Sequence, residues 1–191
     1  MSYLRFSVSG TTPGNLIETF ERALSIRRFV PLNPAGKDIE SSGWVPAQKP
    51  YLDDEPILNH HFLFGERVIL GYREDKISLP KAMLRDLIEQ GLQEFPESNR
   101  QVIESAVMSE LRQRVLPKSK VVEVVWDLSC SELRLFARGQ ALVERFEKLF
   151  EQTFQFKLKQ LTYPEIALSL QLSLRDKGIL ENLNEAVIFG A

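Results

Sequence analysis

Residues 120–156, KVVEVVWDLSCSELRLFARGQALVERFEKLFEQTFQF, decide the fold. Val121 to Trp126 is almost continuous in β-branched and aromatic residues, the composition of a strand. Asp127-Leu128-Ser129-Cys130-Ser131 then supplies turn chemistry, and Glu132 to Ala137 resumes an apolar run, so the segment reads as a hairpin. After Gly139 the period changes. Leu142, Phe146, Leu149, Phe150 and Thr153 recur at helical spacing, with Glu144, Arg145, Glu147 and Lys148 on the other faces. The unit is strand, turn, strand, helix, and such a helix needs a sheet to cover.

A similar unit precedes it. Asn59 to Phe64 and Glu66 to Arg73 read as two strands about Gly65, with Glu74-Asp75-Lys76 where strand gives way to turn. Pro80 opens a helix carrying Met83, Leu84, Leu87, Ile88 and Leu92 at helical spacing. A second helix over Ser98 to Val115 is stopped by Pro117. Towards the N-terminus, Tyr3 to Ser9 alternates as a strand, and Gly10-Thr11-Thr12-Pro13-Gly14 connects it to a helix capped by Thr12 or Asn15. The apolar face of that helix is Leu16, Ile17, Phe20, Ala23 and Leu24, and Arg27-Arg28 sit near its negative C-terminal end.

Residues 31–58 carry Pro31, Pro34, Pro46, Pro50 and Pro56, which exclude long regular elements; within them Trp44 is expected to plug a gap in the core. Beyond the quoted stretch, Phe156 to Leu161 reads as a short strand and Pro164 starts a helix to about Leu174. Glu185 to Ala191 reads as a last strand or a docking tail. The expected fold is α+β, built of antiparallel strand-turn-strand-helix units with helices packed on the sheets. It forms one elongated domain over 1–191, with 1–96 and 97–191 as sub-units.

Composition narrows the function. The chain has 191 residues, 43% of them hydrophobic and 26% charged, which suits a folded domain with its own core. A net charge of -2 gives no whole-chain attraction to nucleic acid or anionic membrane, so any such binding needs a local patch. Cys130 is the only cysteine, which excludes an intramolecular disulfide and a multi-cysteine zinc site and suits a reducing compartment; it is expected half-buried at the hairpin turn. No apolar run approaches the ~20 residues of a spanning helix and the start lacks a leader pattern, so a cytoplasmic protein away from membrane is expected.

Chemistry-bearing motifs are sparse. Asp53-Asp54-Glu55 and His60-His61 offer metal ligands, but adjacent histidines in a strand point to opposite faces, and a solvated acidic loop is the plainer reading. Asp53 or Asp54 with Glu74-Asp75-Lys76 resembles the acidic residue plus Glu-x-Lys set of magnesium-dependent nucleases, with Asp54, Glu74 and Lys76 as the working trio; such a site requires a strand facing a pocket. No dinucleotide fingerprint, phosphate-binding loop or nucleophile elbow is present, and two adjacent histidines give few acid–base options. No enzyme, metal or cofactor is expected. For nucleic acid the basic candidates are Arg67, Arg73, Lys76, Lys81 and Arg85 around the first hairpin and Arg112, Arg114, Lys118 and Lys120 before the second, interspersed with Glu66, Glu74, Asp75, Glu110 and Glu123.

Short motifs in a fixed order resemble the recombination-associated protein RdgC family of bacteria. Gly43-Trp44-Val45-Pro46 is similar to its Gly-Trp-Val-Pro-Pro signature, with Ala47 in place of the second proline. Arg73 to Pro80 is similar to its charged strand end leading through Leu-Pro into a helix, and Leu116-Pro117-Lys118 to its Leu-Pro-Arg element. The two strands about Asp127 and the helix Ala141 to Phe154 match its next unit. The likeness runs over roughly residues 3–165, about the N-terminal half of a full-length member, and departs from it at Lys118-Ser119-Lys120, where the family commonly has a small residue and phenylalanine.

The resemblance implies a homodimer closed into a ring that encircles double-stranded DNA without marked sequence preference and restrains the RecA recombinase in the bacterial nucleoid; matching only the family's N-terminal half, this chain is expected to form an open dimer or a different assembly instead of the ring. On this reading Arg73, Lys76, Lys81, Arg112, Lys118 and Lys120 contact phosphates. The alternatives are a protein-interaction module that has lost DNA binding and a magnesium-dependent nuclease.

Overall fold

In the computed structural model, which describes residues 3–33, 36, 38–52, 56–162 and 165–166, seven strands form one antiparallel sheet. Its spine is two ten-residue strands, β4 (Arg67–Lys76) and β5 (Lys118–Asp127), paired over their whole length from Arg67 opposite Asp127 to Lys76 opposite Lys118. Beside β5 lie β6 (Glu132–Leu135), β1 (Leu4–Ser9) and the edge strand β7 (Lys157–Gln160). Beside β4 lie the edge strand β2 (Glu40–Val45) and the two-residue β3 (Leu63–Phe64). The fold is α+β, as expected. The sub-units 1–96 and 97–191 share this sheet, since β1 sits between β6 and β7.

The hairpin forms where expected. Asp127 fixes its turn by accepting hydrogen bonds from the Ser129 backbone N–H at 3.1 Å and hydroxyl at 2.6 Å, and Ser131 takes a left-handed φ of 53°. Cys130 is exposed there rather than half-buried.

Helix α5 (Gln140–Phe154) lays Phe146, Phe150 and Phe154, one turn apart, on one face of the sheet beside α1 (Leu16–Ile26), which buries Phe20 and Leu24. Trp126 of β5 packs edge-on to Phe150 at 5.3 Å between ring centroids, and Trp44 of β2 to Phe146 at 5.9 Å. Trp44 thus fills the core as expected. Asn15 caps α1, its side chain accepting the Glu18 N–H. Helices α3 (Lys81–Glu94) and α4 (Arg100–Arg114) pack on each other, closely enough that a Cβ at Gly91 would meet Ile103 Cγ2 at 2.7 Å.

Three elements differ from the sequence reading. Glu40–Val45 is a strand inside the proline-rich segment, although Glu-Ser-Ser-Gly is poor strand material. Backbone contacts hold it: Phe29 N–H donates to the Trp44 carbonyl at 2.9 Å and Trp44 N–H to the Arg27 carbonyl at 3.1 Å. Residues 59–62 form not a strand but one helical turn, α2 (Asn59–Phe62), whose N–H groups are taken up by side chains. Leu58 N–H donates to His61 Nδ1, Asn59 N–H to Glu21 Oε1 and His60 N–H to Asn59 Oδ1. The His60 and His61 rings accordingly lie side by side, 3.9 Å between centroids, instead of on opposite faces. Finally, Glu74-Asp75-Lys76 continues β4 rather than turning out of it. Of the expected helix from Pro164 to about Leu174 only residues 165–166 are described, and both are helical; the strand or tail at 185–191 lies outside the described residues.

Candidate nucleic-acid interface

Alternation along β4 and β5 sends residues two apart to the same face. Tyr72 and Val122, opposite each other, are buried on the α5 side, so Glu74, Lys76, Lys118 and Lys120 face that side beyond the end of the packed core. Two cross-strand rows result. One runs Glu40, Lys76, Lys118 and the other Ser42, Glu74, Lys120. Lys76 pairs with Glu40, both well exposed; among the described residues Lys118 has no ion-pair partner.

Glu74 is the pivot of this end. Arg145 of α5 donates Nε and Nη2 to Glu74 Oε1 and Oε2 at 2.6 and 3.0 Å, and the Tyr72 hydroxyl donates to Oε1 at 2.6 Å. Burial pushes the Glu74 carboxyl up, but the hydrogen bonds from Arg145 and Tyr72 and the positive charges of Arg145 and Lys120 outweigh it and hold the group below its ordinary value. Burial, joined by the bond to Glu74, pushes the Tyr72 hydroxyl well up.

Arg145 also joins two clefts. One is lined by Glu40, Ser41, Ser42, Glu74, Asp75 and Lys76; the other by Arg27, Arg28, Ser42, Lys148 and Gln152 among others, with no carboxylate among the described lining residues. Arg27 donates to Gln152 Oε1 at 3.1 Å. The basic surface therefore runs from Lys118 and Lys120 past Arg145 to Lys148, Arg27 and Arg28. Sequence reasoning placed the last four on solvent faces or at a helix end; only the docking of α5 and α1 on the sheet brings them beside the strand lysines.

Two expected contact residues are corrected. Arg73 is buried: its guanidinium donates to both Asp75 carboxylate oxygens at 2.9 and 2.8 Å and to the Pro50 carbonyl at 3.2 Å, and lies 4.1 Å over the Phe29 ring. It faces away from Lys76 because it is one strand position out of phase. Arg112 is half-buried and donates to the Gly36 carbonyl at 3.3 Å, tying α4 to the preceding loop. Lys81 is exposed at the start of α3, five residues past Lys76.

Of the nuclease set, two members are described. Glu74 and Lys76 share a strand face, but Glu74 is held by Arg145 and Tyr72, Lys76 by Glu40, and Asp54 lies outside the described residues. Among the described residues no three His, Cys, Asp or Glu side chains are placed to hold a metal ion, and no helix is long and apolar enough to cross a membrane. In comparisons with known proteins, no family model and no curated protein matches this chain.

Proposed function

We propose that this chain is a non-enzymatic double-stranded DNA-binding protein that grips the phosphate backbone, with Lys76, Lys118 and Lys120 at one end of the contact and Lys148, Arg27 and Arg28 at the other. The observation that carries it is the direct opposition of Lys76 and Lys118 across neighbouring strands. Like charges so placed disfavour the sheet, and Glu40 offsets only one of them. A row of phosphates supplies the missing negative charge. Lysine and arginine contacts to phosphate carry no sequence information, which suits binding without sequence preference. The resemblance to the RdgC family supports extending this proposal to a homodimer that acts in recombination or replication in the nucleoid and restrains a RecA recombinase.

A second reading, a protein-interaction module, draws on the α3–α4 pair, where Phe95 and Val102 are 60% and 63% exposed. The two readings separate in one experiment. Fluorescence anisotropy of a labelled random-sequence duplex, followed across a salt series with magnesium present, reports affinity, salt slope and any cutting. DNA binding predicts affinity falling steeply with salt on an intact duplex. The double charge reversal Lys118→Glu, Lys120→Glu then makes the slope of log K against log salt shallower by about 1.8, if each lysine neutralises one phosphate. No binding at low salt turns the assignment to the interaction module, and magnesium-dependent cutting to the nuclease.

A further inference from the structure

The two ends of the basic surface meet at one side chain. Arg145 lines both clefts, the one with Lys76 and the one with Arg27, Arg28 and Lys148. Its guanidinium is held from beneath: Nε and Nη2 donate to the Glu74 oxygens, and Glu74 in turn accepts the hydroxyl of Tyr72, a fully buried residue. The Glu74 side chain is 15% exposed and that of Arg145 50%, so this chain of bonds runs outward from the core and ends on a group that water reaches. Lys120 lies directly opposite Glu74 on β5, yet among the described residues it has no ion pair; the carboxylate takes the fork of Arg145 instead. A guanidinium carries more N–H groups than the bonds to Glu74 use. Nη1 makes no hydrogen bond among the described residues, which leaves one edge of the fork for an outside acceptor.

We propose that Glu74 is a positioning residue for DNA binding: it fixes Arg145 so that the free edge of the guanidinium meets a backbone phosphate between the two ends of the surface. The inference rests on the DNA reading, and it runs against the sign of the charge. Glu74 is a carboxylate within a surface that takes phosphates, and counting charges alone says that removing it tightens binding. Two magnitudes oppose that count. Salt at ~0.15 M screens charges over ~8 Å, roughly the span of a carboxylate, a guanidinium and a phosphate in a row, so the repulsion is weak. An arginine already held gives up little freedom on binding, whereas a loose one loses the rotamers of a long side chain, which weakens binding roughly two- to tenfold.

The test is the anisotropy titration of a labelled random-sequence duplex with the full chain and with Glu74→Gln, Glu74→Asp, Arg145→Ala and the double variant Glu74→Gln, Arg145→Ala. Gln keeps the shape of Glu without its charge, and Asp keeps the charge but is one methylene short of the fork. Both are expected to weaken binding roughly two- to tenfold, although the first makes the chain less negative and the second leaves its charge unchanged. Arg145→Ala weakens binding and makes the slope of log K against log salt shallower by about 0.9, the share of one phosphate contact. On that background Glu74→Gln tightens binding, since only the repulsion is left to remove, and a role in stability alone gives no such reversal of sign. Where the wild type binds, unchanged or tighter binding by Glu74→Gln with Arg145 in place overturns this inference and leaves the DNA reading standing. No binding by the wild type at low salt overturns both.

Discussion

Trp44 donates its indole N–H to the hydroxyl of Thr153 at 2.8 Å inside the core, joining edge strand β2 to the last turn of α5. The same hydroxyl donates to the Leu149 carbonyl at 2.6 Å, so it accepts and donates at once and neither buried polar group is left over. Thr153→Val keeps the shape and removes the acceptor. The orphaned indole N–H is expected to cost about 1–3 kcal/mol. In a Trp44→Phe background the same change costs less, since nothing is orphaned, and urea unfolding of the four variants measures the coupling. Equal costs in both backgrounds refute it.

Gly43, in the middle of β2, is required by a backbone neighbour rather than by a turn. A Cβ there would stand 2.5 Å from Phe29 N and Cα, atoms that cannot rotate away. Gly43→Ala is expected to destabilise by about 1–3 kcal/mol or more, by forcing residues 28–30 off the strand. Gly14→Ala, where a Cβ meets nothing within 4 Å, stays within about 0.5 kcal/mol. Thermal melts of the two variants check the contrast.

Asp75 neutralises Arg73 where neither reaches water, with side chains 4% and 9% exposed. Asp75→Ala takes a two-pronged carboxylate partner from a buried guanidinium and is expected to cost about 1.5–3 kcal/mol, the range for hydrogen bonds to a charged group. Glu40→Ala removes an equally charged partner, that of Lys76, yet costs less than about 1 kcal/mol because both groups are solvated. Denaturant midpoints distinguish a buried pair from a surface one on the same strand.

Acid should find Glu74. Its carboxyl titrates in the fold below its ordinary value of 4.5, so it contributes stability that is complete above that value and is lost as pH falls through the folded one. The stability difference between the wild type and Glu74→Gln is therefore constant at neutral pH and shrinks as pH drops below about 4.5. A difference that stays flat to the acid limit would show that Arg145 and Tyr72 do not favour the ionised form.

Much of this fold is legible locally. Phe146, Phe150 and Phe154 announce the helix by spacing, Val121–Trp126 the strand by composition, and Trp44 its burial by standing alone among prolines. What local pattern misses is decided by distant partners. Glu40–Val45 is a strand because residues 27–29 and β4 flank it, and Asn59–Phe62 a helical turn because Glu21 and His61 take up its N–H groups. The basic surface divides the same way. The strand period puts Lys76, Lys118 and Lys120 together once Glu74-Asp75-Lys76 is read as strand, and the same period turns Arg73 inward. Arg145, Lys148, Arg27 and Arg28 join only through helix docking, which no run of residues encodes by itself.

The place of β1 between β6 and β7 bears on how the chain is made. Its first strand emerges from the ribosome with no neighbour to pair with: Leu4 waits for Leu135 and Ser9 for Lys157. At translation rates of ~5–20 residues per second, the interval before β6 follows is roughly 6–25 s. Through that time Phe6 and Val8, both buried in the finished sheet, are open to other chains. Synthesis order thus leaves β1 waiting longest for its partners among the described strands, and its pairing is the step at which a chaperone would matter most.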